Sequence, residues 1–94
     1  MGAGGAANRS TEIIEDERCL KPKGKPNSRT DLYVNGRLKQ QRWYGADGKA
    51  VHNRDHFHQN AHDNHPFPHD HNWDWNKSHP REREPLPPDY NNFN

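Results

Sequence analysis

Between Arg29 and Arg54 the chain divides into three short runs that mix apolar and polar side chains and are separated by turn residues. Asn35-Gly36 is a strong hairpin signal, because both central residues of a type I′ turn need positive φ. It joins a strand over Thr30–Val34 to one over Arg37–Tyr44. Gly45-Ala46-Asp47-Gly48 forms a second turn into a strand from Lys49 to Arg54, which completes a three-stranded antiparallel meander. A two-residue loop sets Leu38 opposite Tyr33 and Lys39 opposite Leu32.

Upstream, Ser10 or Thr11 can cap a helix, with Glu12 and Glu15 in its first turns, Arg18 near its end and Ile13, Ile14 and Leu20 as a partial apolar stripe. A short helix is expected over 11–19, stopped by Pro22, Gly24 and Pro26. After Phe57 no period is readable, and His65-Pro66-Phe67-Pro68 forces an extended path before a further short strand through His69–Trp73. The proline-rich tail from Lys77 reads as irregular or disordered, with Tyr90 and Phe93 as side chains able to dock. The expected fold is therefore α+β, a short N-terminal helix packed on a small antiparallel meander. Residues 1–28 form a linker and helix, 29–75 the core and 76–94 the tail.

With 94 residues, 27% hydrophobic and 29% charged, the chain builds at most one small domain with a thin core. A bound metal or a partner protein would help to stabilise it. The single cysteine, Cys19, forms no internal disulfide, and no apolar run approaches the ~20 residues needed to cross a bilayer.

Charge is segregated along the chain. Residues 21–54 carry nine basic side chains against Asp31 and Asp47, whereas the segments on either side are net acidic. A basic middle suits a polyanionic substrate, since lysine and arginine neutralise phosphates and release counterions.

Seven of the eight histidines, His52, His56, His58, His62, His65, His69 and His71, fall within twenty consecutive residues. Histidine both transfers protons near neutral pH and ligates metals. One reading is a ribonuclease that needs no cofactor. In it His65, His69 and His71, supported by Asp55 and His58, carry out acid/base chemistry on an RNA phosphodiester. Arg42 and Arg54 would bind phosphate, while Trp43, Tyr44, Trp73 and Trp75 offer rings for a base. A second reading uses His69 and His71, two residues apart on an extended segment, as ligands to zinc or manganese in a metal-dependent nuclease, with Asp55, His58 or His65 completing the site. A third is a histidine-rich metal-binding or interaction module without catalysis.

Gly24-Lys-Pro-Asn-Ser28, Asp31-Leu-Tyr33, Asn35-Gly-Arg-Leu38, Gln41-Arg-Trp-Tyr-Gly45, Asp47-Gly48, Asp55, His58 and His65-Pro-Phe-Pro-His-Asp-His-Asn-Trp73 together form a pattern over residues 24–73. The pattern resembles the C-terminal toxin modules of bacterial polymorphic toxins, the variable tips of contact-dependent inhibition, Rhs-type and LXG-type proteins. The resemblance implies a nuclease domain carried on a larger secreted or cell-surface protein. Such a domain acts in the cytoplasm of a target cell, as a monomer or in a 1:1 complex with a cognate immunity protein that neutralises it, and an inhibitor that competes for the basic meander is expected to be acidic. It also implies a fold like that of the barnase, EndoU, colicin and RelE group. The Gly/Ala-rich Met1–Ala7 lead fits a junction to the delivery protein. Asn53 stands where the resemblance leads one to expect a second carboxylate near Asp55.

Overall fold

The computed structural model describes residues 10–57 and 67–94. They form one five-stranded mixed sheet in sequential order: β1 (Ser10–Glu15), β2 (Ser28–Val34), β3 (Arg37–Tyr44), β4 (Ala50–Asp55) and β5 (His69–Asn72). β1 pairs in parallel with β2, and the other pairs are antiparallel.

The fold is all-β, which corrects the expectation of an α+β domain with an N-terminal helix and a barnase, EndoU, colicin or RelE-like layout. Residues 11–19 do not form a helix. Nine residues would make a marginal helix in water, and Asp16 has φ 59°, outside the right-handed helical region. Ile13 and Ile14 are β-branched, and pairing with β2 satisfies their backbone where a short helix would fray. β1 is an edge strand and is mostly exposed.

The two expected turns are present. Asn35 and Gly36 have φ 52° and 77°, and Tyr33 pairs with Leu38 as expected. A bulge between Leu32 and Tyr33 then shifts the register, so Leu32 faces Gln40 and not Lys39. The shift places Gln40 opposite Asp55 across β3 and β4.

Each sheet face is covered by irregular chain. The β1–β2 connection crosses one face, where Arg42 donates to the carbonyls of Leu20 (2.6 Å) and Lys21 (3.2 Å), and the Tyr44 hydroxyl donates to Lys21 O (2.6 Å). Gly24 lies against Tyr44 so closely that an added Cβ would sit 3.0 Å from its ring. The C-terminal tail lies along β5, where Asp70 and Leu86 exchange both backbone hydrogen bonds at 2.8 Å and Glu82 N donates to Asn72 O at 2.9 Å. It continues onto the opposite face, where Phe93 stacks on His52 with ring centroids 3.9 Å apart. The tail is irregular apart from isolated bridges at Arg81 and Leu86, and it packs on the sheet through Tyr90 and Phe93.

The interior is thin and largely polar. Leu20, Leu32, Trp43, Tyr44 and Ala50 are the buried apolar residues among those described, outnumbered by buried polar and charged ones. Such an interior is stable only if its polar groups are paired, which directs attention to their partners.

Candidate metal centre

Two i, i+2 pairs meet across the β4–β5 ladder. Asp55 pairs with His69 and Asn53 with His71, so strand alternation turns all four side chains to one face. Asp55 Oδ2 lies 3.5 Å from His69 Nε2 and 3.4 Å from His71 Nε2. One ligand atom from each of Asp55, His69 and His71 falls within 4.8 Å of the others, and all three residues are buried. Donor atoms held about 2.0–2.2 Å from a tetrahedral zinc lie about 3.3–3.5 Å apart, which the two Asp55 distances match.

The surrounding groups orient these ligands. His71 Nδ1 lies 2.8 Å from the Glu82 carbonyl oxygen, which can only accept, so Nδ1 carries a proton and Nε2 is the nitrogen turned toward Asp55. Asp55 Oδ1 accepts from Gln40 Nε2 (2.8 Å) and Asn53 Nδ2 (3.1 Å), which turns Oδ2 toward the imidazoles. Asn53 Oδ1 in turn accepts from Trp73 Nε1 at 2.7 Å. Burial pushes the Asp55 carboxyl up, but His71, the Gln40 amide and His69 outweigh it and hold the group well below the usual carboxylate range. The centre therefore offers an ionised carboxylate and two imidazoles, a donor set suited to zinc and other borderline divalent ions.

The expectation of a cofactor-free site is corrected by this cluster. His69 and His71 converge on a buried carboxylate, with one ligand atom from each of the three residues within 4.8 Å of the others, a grouping able to hold a metal ion, and His71 is oriented by its second nitrogen. His58 and His65, the other histidines singled out, lie outside the described residues.

The remaining candidates divide between the two faces. Arg42 is on the ligand face, with its guanidinium 4.9 Å from the centre of the Trp73 ring. Burial lowers its pKa, while Tyr44 and Asp55 act to raise it. Tyr44 is buried beneath the crossover. Arg54 points to the other face and makes a two-pronged ion pair with Asp70 (2.8 and 3.0 Å), between the Trp43 and Tyr90 rings. Asp70 also meets His52 Nε2 at 2.6 Å and accepts from the backbone N of Asp89 at 2.9 Å. Burial raises the Asp70 carboxyl, but Arg54, the Asp89 amide and His52 bring it below its ordinary value. Trp43, buried on that face, packs against Phe93.

Sequence reasoning missed Gln40, Asn53 and the Glu82 carbonyl as supports of the centre. The signal for Asn53 was present, since Asn53-x-Asp55 and His69-x-His71 are complementary alternations. Gln40 gave none, because its place depends on the bulge. No protein-family model, no curated protein and no solved structure matches the chain. No helix among the described residues is long and apolar enough to cross a membrane.

Proposed function

We propose that this chain is a metal-dependent nuclease of the polymorphic-toxin type, with Asp55, His69 and His71 as its metal ligands. The observation that carries this reading is the convergence of three buried ligand atoms within 4.8 Å. A three-residue donor set leaves a coordination position open, and an ion held there would supply Lewis acidity toward a phosphodiester. Gln40 and Asn53 keep Asp55 ionised and aimed, and the Glu82 carbonyl orients His71. Arg42 and Arg54 are buried on internal partners, and the exposed Lys21, Lys23 and Arg37 of the basic segment support a nucleic-acid substrate, because the phosphate backbone dominates such binding. Delivery into a neighbouring cell and neutralisation by an immunity protein are what the resemblance over residues 24–73 implies. An acidic inhibitor would compete with phosphates for the same cations.

Metal-free chemistry by the same histidines fits less well. His69 and His71 are 2% and 4% exposed and turned toward Asp55, so both cannot bracket a phosphodiester at the surface. That burial favours a second reading, an ion that fastens β4 to β5 without catalysis.

Incubation of RNA and DNA with the purified chain distinguishes the two readings. Cleavage that requires a divalent ion, stops with chelator and is lost in His69→Ala supports the nuclease. One tightly held ion per chain with both nucleic acids intact supports the structural role.

A further inference from the structure

A cavity of about 670 Å³, within the range of small-ligand sites, has a lining that includes Trp73, Trp75, Lys21, Lys23, Arg81 and Arg83. No acidic residue lines it. The two indoles are stacked, with centroids 5.6 Å apart and planes 22° from parallel. Both rings are anchored through their N–H groups, Trp73 on Asn53 Oδ1 and Trp75 on the Ala50 carbonyl, each at 2.7 Å. Their polar edges are thus committed inward. Lys23 and Lys49 stand 5.8 and 5.4 Å from the centre of the Trp75 ring, and the 81–83 segment of the tail brings Arg81 and Arg83 to the cavity wall.

We infer that this cavity is the nucleotide subsite of the chain, taking one unpaired base of a single-stranded nucleic acid against the Trp73–Trp75 pair, with the adjoining phosphates on Lys21, Lys23, Arg81 and Arg83. Only a ligand with a flat apolar face and flanking negative charge uses both features of the lining. A base stacks on any aromatic platform, which makes the subsite tolerant of sequence and selective for unpaired strands. Trp73 connects the subsite to the centre, because its N–H reaches Asn53, which donates to Asp55. The inference names the substrate class of the proposed nuclease and rests on that reading, but binding can be measured without cleavage.

The experiment is fluorescence anisotropy of labelled single-stranded RNA, DNA of the same sequence, and an abasic chain of equal length, all in EDTA. The abasic chain is expected to bind about tenfold more weakly, and Trp75→Ala to weaken both natural strands about 5- to 100-fold while removing their advantage over it. Replacing Arg81 and Arg83 with serine, an exposed pair whose loss spares the core, should weaken all three ligands and lower the salt-dependence slope by about 0.7 for each phosphate contact removed. Trp75→Phe should keep most of the affinity and controls for folding. A preference for RNA or for DNA assigns the sugar, and either supports the subsite. Equal binding of the abasic and natural chains, or unchanged affinity in both Trp75→Ala and the double serine variant, overturns it. Zinc uptake without oligonucleotide binding removes the subsite and leaves the metal centre. Oligonucleotide binding without zinc uptake does the reverse.

Discussion

His71 donates its Nδ1–H to the backbone carbonyl of Glu82, 2.8 Å away, and so turns Nε2 toward Asp55. The tail segment that lies along the edge of β5 therefore also orients a ligand. Removing residues 80–94 is expected to weaken zinc binding about 10- to 100-fold, the usual cost of losing a group that orients a ligand. Competition titration against a chromophoric chelator measures it, and unchanged affinity in a folded truncation would show that the tail has no part in the centre.

Asn53 joins Trp73 to Asp55. Asn53→Leu strands the Trp73 N–H and removes one donor from the carboxylate, so it should cost about 1–3 kcal/mol of stability and also weaken metal binding. Denaturant unfolding of the metal-free protein, paired with a zinc titration, separates the two effects.

On the opposite face Arg54 depends on Asp70. Asp70→Ala leaves a buried guanidinium without its carboxylate and is expected to destabilise the fold by about 3–5 kcal/mol. The Asp70 carboxyl is more acidic in the folded state than its unfolded value of about 3.9, so the unfolded chain takes up the proton first as pH falls. Its contribution is complete above that value and is lost as pH drops through the folded one. In Asp70→Asn, stability measured from pH 7 to pH 2 should decline less steeply in the acid range than in the parent.

Gly48 and Gly36 both have positive φ, but only Gly48 is crowded. A Cβ at Gly48 would sit 2.7 Å from the Gly24 carbonyl oxygen, whereas one at Gly36 meets nothing within 4 Å. Gly36→Ala should cost about 1–2 kcal/mol for the left-handed backbone alone, and Gly48→Ala distinctly more. Thermal melts that rank them in the other order would refute the close packing of the crossover on the second turn.

Local chemistry made the centre of this fold readable in advance. Asn35-Gly36 and Gly48 mark their turns because few other residues accept those backbone angles. His69-x-His71 marks its strand because alternation puts both rings on one side. Non-local pairing was not readable. Ser10–Glu15 has the cap and carboxylates of a helix start, yet its backbone partner is β2, about eighteen residues on in the register. The tail is another case, since nothing in Arg81–Leu86 announces that its backbone will pair with β5. Arg54 looked like a phosphate ligand until Asp70, sixteen residues away, was brought beneath it.

The most direct measurement is the metal stoichiometry and affinity of chain purified without a nickel column, compared with Asp55→Ala and with a His69→Gln, His71→Gln double variant that keeps the other six histidines. One zinc or manganese ion per parent chain, with the affinity reduced at least about a hundredfold in both variants, is the predicted result. Equal uptake by parent and variants would place the metal on the other histidines and contradict the Asp55–His69–His71 centre.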